Sequence, residues 1–304
     1  MLRYILTAWI AITLSFFALR VIPGDAVESQ LRQSGTSPQD IAAQREAFGL
    51  NDPLPLQYAD YLGSLAQGDL GVSLVTRERV SDMIAARLLP TIHLAIASLG
   101  VAIAVGILIG TLAGFPVNPP LSWLSGGLIT LALAMPTYWT ATLAIYLTSH
   151  QFGWLPSGGT EGFASLILPA LVLGFSIGGG IARVVETTLR EILTQPFLQT
   201  AYAKGLGWWG IYVHALRASL PPILSIIALQ AGFLLGGTVL VEIIFTRRGL
   251  GSLLHQAVLN QDYPVVQGLV LLGALVYALT RGIARWLSRR ADPRLMEPLL
   301  EAAA

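Results

Sequence analysis

Six stretches of this chain are long and apolar enough to cross a lipid bilayer, and they restrict its fold more than any other feature. A hydrocarbon core about 30 Å thick takes roughly 20 residues of helix to span, and inside it no water is available to satisfy the backbone. The stretches run approximately from Tyr4 to Ile22, Leu88 to Phe115, Leu121 to Thr148, Phe163 to Ile181, Leu220 to Phe245 and Val265 to Ile283. Only 12% of the 304 residues are charged, where soluble domains carry about 25%. The net charge of +1 supplies no field for nucleic acid, and with no Cys there is neither a disulfide framework nor a thiolate metal site. The first stretch follows Arg3 as a signal peptide would, but no small-x-small cleavage pattern follows and Arg20 interrupts its end, so a retained helix is expected. The fold class is an all-α membrane protein with six transmembrane helices.

Residues 23–87 differ from the rest, holding nine of the 17 acidic residues among Pro, Gln and Ser. They read as a water-exposed insertion between the first two spans. Ser37 is placed to cap a short helix with Pro38 in its first turn, running from Ile41 to Phe48. Orientation follows Lys and Arg in short loops. With the N-terminus inside, the inner side holds Arg3, Arg183, Arg190, Lys204, Arg217, Arg285, Arg289, Arg290 and Arg294, and the outer short loops hold only Arg247 and Arg248. Both termini are expected in the cytoplasm, although the inner loop Pro116 to Pro120 has no positive charge. The organisation is then a first helix (1–22), the insertion (23–87), a five-helix core (88–286) containing a long inner loop (182–220), and a tail (287–304).

The residues speak against several chemistries, although sodium could still bind backbone carbonyls at a broken helix. Ion-coupled transporters place carboxylates at mid-membrane, whereas Glu186 and Glu242 lie only near span ends. The one Lys of the chain, Lys204, does not follow the Gly of a phosphate-cradling G-x-x-x-x-G-K-[ST] loop, so any ATP must be bound by another subunit. Gly174-Phe175-Ser176-Ile177-Gly178 matches the serine-hydrolase G-x-S-x-G, but that pattern needs a strand-to-helix turn and here it sits in an apolar helix. His93, His150, His214 and His255 show no metal-ligand spacing.

The inner loop is the informative segment. Thr187 to Leu193 reads as an amphipathic piece broken by Pro196, and a second short helix follows, with Gly205 able to end it in a left-handed cap. Trp208, Trp209 and Tyr212 add an apolar face. Small residues admit a partner surface close to the helix backbone; the alternative is a helix lying in the lipid interface with its tryptophans at headgroup depth.

At this point the chain resembles the membrane permeases of ATP-binding-cassette importers, in the dipeptide/oligopeptide/nickel branch. Thr200-Ala201-Tyr202-Ala203-Lys204-Gly205-Leu206, His214-Ala215-Leu216-Arg217 and Leu220-Pro221-Pro222 are similar to that branch's ATPase-docking loop. Pro23-Gly24-Asp25, Phe48-Gly49-Leu50-Asn51-Asp52-Pro53-Leu54, Gly68-Asp69-Leu70-Gly71, Trp154-Leu155-Pro156, Leu168-Pro169-Ala170, Gly249-Leu250-Gly251 and Asp262-Tyr263-Pro264-Val265-Val266-Gln267-Gly268 extend the resemblance over nearly the whole chain.

It implies a type I importer permease fold in a bacterial inner membrane, with no catalysis and no cofactor on this chain. It also implies two ATP-binding subunits carrying ATP and Mg, a second permease that is a related, non-identical chain, and an extracytoplasmic solute-binding protein. Neither a metal site nor a nucleic-acid partner is implied. Thr200, Ala201, Ala203, Lys204, Gly205, Leu206, His214 and Arg217 become the coupling residues; for Arg217 a membrane-anchoring role stands beside the partner contact. The insertion and the loop from Arg247 to Tyr263 become the docking surface for the binding protein. Two departures from the branch stand out. Arg247-Arg248 precede Gly249 where relatives often have Pro, which should alter the outer surface charge, and the loop Pro116 to Pro120 lacks the usual basic residues.

Three features of the spans bear on movement and pathway. Gly106, Gly110 and Gly114 form one small-residue stripe and Gly232, Gly236 and Gly237 another, read first as packing within the chain and second as a subunit interface. Gly178-Gly179-Gly180 invites a kink. Gln230, Thr238 and Glu242 should face the bundle interior, to meet the solute or to hydrogen-bond a neighbouring helix. The solute expected from the resemblance is a di- or oligopeptide, with nickel or a small solute such as glutathione as the alternative; a stand-alone ion-coupled transporter is the reading from a different class.

Overall fold

The computed structural model describes residues 2–21, 38–115 and 118–291. Ser37, the Pro23-Gly24-Asp25 motif, Pro116 and the tail beyond Ala291 lie outside them. The described residues are helical almost throughout: α1 (Leu2–Val21), α2 (Pro38–Ala47), α3 (Leu54–Ala66), α4 (Val80–Gly114), α5 (Pro119–Ala134), α6 (Thr137–Ile145) with a π-helical end (Tyr146–Gln151), α7 (Ala164–Leu193), α8 (Pro196–Ala203), α9 (Trp208–Ile244), α10 (Leu250–Leu259) and α11 (Tyr263–Ala291). Four are apolar and long enough to span, over Val80–Gly114, Ala164–Leu193, Trp208–Leu234 and Tyr263–Thr280. α5 and α6 meet the same condition jointly but are bent by 106°. The apolar part of α1, Leu6–Val21, is shorter.

The bend breaks the expected crossing from Leu121 to Thr148. Met135 precedes Pro136 and is forced into an extended conformation (φ −79, ψ 124) by the clash between the Pro ring and the preceding residue. Its N–H still closes α5 by bonding to Leu131, and α6 restarts from Pro136. Pro90, Pro169, Pro221 and Pro222, by contrast, lie inside continuous helices.

Two compact units divide the chain: Met1–Thr91 with Arg248–Ala278, and Ile92–Arg247 with Leu279–Ala304. The core of the first gathers Leu19, Leu74, Val80, Ile84, Leu253, Val265 and Val266. It is closed by a buried clasp, in which Ser73 donates its hydroxyl to Asp262 Oδ2 at 2.5 Å and the Leu74 N–H donates to Oδ1 at 3.0 Å. The motif residues Gly68 and Gly71, at φ of 78° and 79°, turn the chain into that clasp. Arg20 lies with its guanidinium 3.5 Å from the Phe16 ring and donates to Gln57, so the charge that interrupts the first apolar stretch joins α1 to the α3 helix.

In the second unit α7 is the central helix. Gly106, Gly110 and Gly114 of α4 face it so closely that an added Cβ would come within 2.7 Å of Ile181, 2.6 Å of the Ala182 carbonyl and 2.9 Å of the Glu186 carbonyl. The first glycine stripe therefore packs within the chain. The second does not do so uniformly: a Cβ at Gly232 or Gly236 would meet nothing within 4 Å, whereas one at Gly237 would meet Leu173. Gly178-Gly179-Gly180 produces no break in α7. These residues admit Ala102, Ala132 and Gln230 to the helix backbone, so close approach rather than bending explains them.

Overpacking a tight helix contact costs about 1–3 kcal/mol. Gly110→Ala should lower the thermal unfolding midpoint of the purified protein, and Gly126→Ala, whose Cβ enters open space, should raise it slightly, because Ala is the better helix former.

Candidate functional site

The segment between α7 and α9 is shorter than expected, because α7 continues unbroken to Leu193 and α9 begins at Trp208. Thr187 to Leu193 is thus the end of a membrane-length helix and not a separate piece. His214 and Arg217 lie on α9, a different element from Thr200 to Gly205, and both are exposed. What remains outside the long helices is α8 and its two turns.

Local sequence explains α8 directly. Gln195 is extended and Pro196 sits in the first turn, where its missing N–H removes no helical bond. At the other end Gly205 adopts φ +80, the Leu206 N–H bonds to the Ala201 carbonyl at 3.2 Å and the Gly205 N–H to the Tyr202 carbonyl at 2.9 Å. These two bonds are a Schellman cap, which an L side chain at Gly205 would strain. The left-handed cap expected at Gly205 is present.

Leu198 is the one fully buried side chain of α8, set among Val185, Leu189, Ile211, Ala215 and Ile223. Leu206 packs on the same cluster. The remainder of the surface is open: Phe197, Thr200, Tyr202, Ala203, Lys204 and Gly205 are exposed and Ala201 is half-buried. Phe197 and Tyr202 were not singled out from the sequence; a helix that points one Leu inward necessarily turns its other large residues outward. Trp208 and Trp209 are exposed at 63% and 61%, and Trp209 reaches Tyr212, which meets Phe115 edge-on at 5.5 Å between centroids.

The three polar residues of α9 separate. Thr238 and Glu242 are each 1% exposed, facing the interior as expected and engaged with neighbours. Gln230 is half-buried, with its Nε2 against Gly180. Three residues beyond the end of α9 the structure corrects the reading of Arg247. It is 4% exposed and donates to the carbonyls of Gly159 and Ser165 at 3.0 and 2.9 Å. Burial lowers its pKa from the ordinary guanidinium value, and the Glu242 carboxylate opposes that shift only in part. Only Arg248 is exposed there.

Ser176 lies mid-helix in α7, its hydroxyl 3.1 Å from that of Thr137, which is not the geometry of a nucleophile elbow. Among the described residues no group of three His, Asp or Glu side chains is placed to hold a metal. A cluster unforeseen in the sequence sits on α7: Glu186, 5% exposed, is held by Arg183 at 2.8 Å and Arg190 at 2.9 Å.

Long apolar helices with a short capped helix exposed between two of them describe a membrane protein. Residues 106–297 match the family of binding-protein-dependent transport system inner membrane components. The chain belongs to that family. It is 33% identical over 296 residues to the glutathione transport system permease protein GsiC of Escherichia coli K12, covering 97% of this chain and 96% of that one. With the GsiC of Salmonella typhimurium LT2 it shares 34% identity over 304 residues, 97% and 99% of the two chains. In fold it is similar to the MetNI methionine ABC transporter in an inward-facing conformation, with a TM-score of 0.60 at 18% identity over 69% of this chain and 96% of that one. The protein is thus a permease subunit of an ABC importer, an inner membrane component with the type I importer fold.

Leu→Ala at a buried site costs about 2–5 kcal/mol. Leu198→Ala should therefore raise amide hydrogen exchange across residues 196–206, with Phe197→Ala leaving protection in that segment unaltered.

Proposed function

We propose that this permease carries small peptides, of the size and chemistry of glutathione, in an importer whose ATP is hydrolysed by two separate subunits docked on the exposed face of α8. The observation that carries the reading is α8 itself: a short helix held by Leu198, closed by the Gly205 cap and presenting Thr200, Tyr202, Ala203 and Lys204 outward. Small side chains at Ala201, Ala203 and Gly205 let a partner approach the backbone, Lys204 offers a flexible cation, and exposed His214 and Arg217 extend the surface along α9. The names of the GsiC relatives support the solute class. The nine-to-two distribution of positive charge supports both termini in the cytoplasm, with α8 on that side.

In this reading ATP and Mg act on the partner subunits, and a solute-binding protein delivers the peptide to the opposite side. A second, related permease completes the path, and the open faces at Gly232 and Gly236 are available to it. Nucleotide state reaches the membrane helices only if the ATPase binds the two arrangements of α8 with different affinity; equal affinity would shift nothing. Gln230, half-buried beside Gly180, is the residue of α9 best placed to meet the solute when α7 and α9 move. Thr238 and Glu242 would join the path only on such a movement.

Thr200→Glu with Ala203→Glu places two carboxylates on the docking face and leaves the Gly205 cap intact. Affinity purification from membranes in mild detergent should recover an ATPase and a second permease with the wild type, and the second permease without the ATPase with the variant. Recovery of the ATPase at wild-type yield with the variant would refute the docking assignment.

A further inference from the structure

The Arg183–Glu186–Arg190 cluster opens onto a cavity of about 870 Å³ between α5 and α7. Its charged wall is organised. Arg183 bonds Glu186 and donates to the Thr130 hydroxyl at 3.2 Å; Arg190 bonds Glu186 and donates to the Ala113 carbonyl at 3.1 Å. One carboxylate is shared by two guanidiniums, leaving an excess positive charge on side chains that are 41% and 58% exposed. Arg190 is in the last turn of α7 and Arg183 lies about two turns deeper, at 1.5 Å per residue.

The opposite wall, α5, is of another kind. Trp123 at the polar end is 83% exposed, as expected of a tryptophan at headgroup depth. Beyond it come Gly126 and Gly127, where a Cβ would meet nothing within 4 Å, and then Leu131 and Ala134. The two hydroxyls on this wall are occupied: Ser122 donates to the Ala113 carbonyl, and Thr130 donates to the Gly126 carbonyl while accepting from Arg183. A peptide in this groove would find free donors only at the two guanidiniums, leaving its remaining amides without partners along the α5 wall, at a cost of about 1–3 kcal/mol each. An acyl chain would not. At 16 residues α5 is about 24 Å long, more than the ~15 Å of one hydrocarbon leaflet.

We propose that this groove binds one anionic phospholipid, with its phosphate against Arg183 and Arg190 and an acyl chain along the glycine-floored face of α5. Basic pockets between membrane helices bind acidic headgroups in this manner. The proposal rests on the membrane assignment and not on ATPase docking, so the two fail separately.

The test is native mass spectrometry of the full-length permease, with whatever subunits co-purify, titrated with phosphatidylglycerol or phosphatidylcholine. Wild type should retain one phosphatidylglycerol in preference to phosphatidylcholine. Arg183→Gln/Glu186→Gln/Arg190→Gln, which leaves no orphan charge, should weaken that binding about fivefold, the worth of the one net positive charge it removes at an acidic headgroup. Arg183→Lys/Arg190→Lys should retain most of it. Gly127→Leu, which fills the groove and leaves the charges intact, should also lose the lipid and keeps the test decisive if the triple variant does not fold. Equal retention of both lipids, equal binding by wild type and Gly127→Leu, or displacement of the lipid by glutathione would each overturn the proposal, the last by assigning the groove to the solute path.

Discussion

Everything else in the second unit depends on how closely α4 lies against α7. Three glycines at intervals of four remove the side chains that would hold the helices apart, and the backbones meet at Ile181, Ala182, Val185 and Glu186. In lipid this contact receives little help from the hydrophobic effect, because acyl chains are as apolar as the side chains they would replace; close van der Waals packing carries it. Since α7 leads through one turn into α8, the same contact sets where the exposed helix stands. Leu198 then ties α8 to α7 and α9 through one shared apolar cluster. In the proposed coupling, a displacement applied to α8 would pass through this cluster to both helices.

Much of this was legible in the sequence for physical reasons. A run of about 20 apolar residues has few options in a bilayer, so most of the spans could be marked without structural knowledge. Gly205 before Leu206 reads as a helix stop because a left-handed cap favours glycine, and the cap is present. The fold and the family followed from the order of short motifs. Several of those motifs prove architectural: Gly68-Asp69-Leu70-Gly71 turns the chain towards the buried clasp that Asp262 makes with Ser73 and Leu74.

What was not legible involves partners distant in sequence. Apolar runs mark where lipid is crossed but not where a helix ends, so the continuation of α7 to Leu193 and the start of α9 at Trp208 lay beyond them. The 106° break at Met135-Pro136 was signalled by the proline, yet Pro90, Pro169, Pro221 and Pro222 carry the same signal without breaking their helices. The glycine triplet in α7 read as a kink because its counterparts, Ala102, Ala132 and Gln230, sit on other helices. Arg247 read as surface charge because Gly159 and Ser165, which bury it, come more than 80 positions earlier.

The chain contains no Cys, so a single introduced thiol reports one position without background, and the central claim is most directly tested by cross-linking from the α8 surface. Ala203→Cys in the membrane-embedded assembly should cross-link to an ATPase subunit, with a yield that changes between nucleotide-free and ATP-bound states. Gly153→Cys, beyond the π-helical end of α6, should give no such product. Cross-linking to the ATPase from position 153 but not from 203, or a yield at 203 indifferent to nucleotide, would contradict the account of α8 as the element that receives the ATPase.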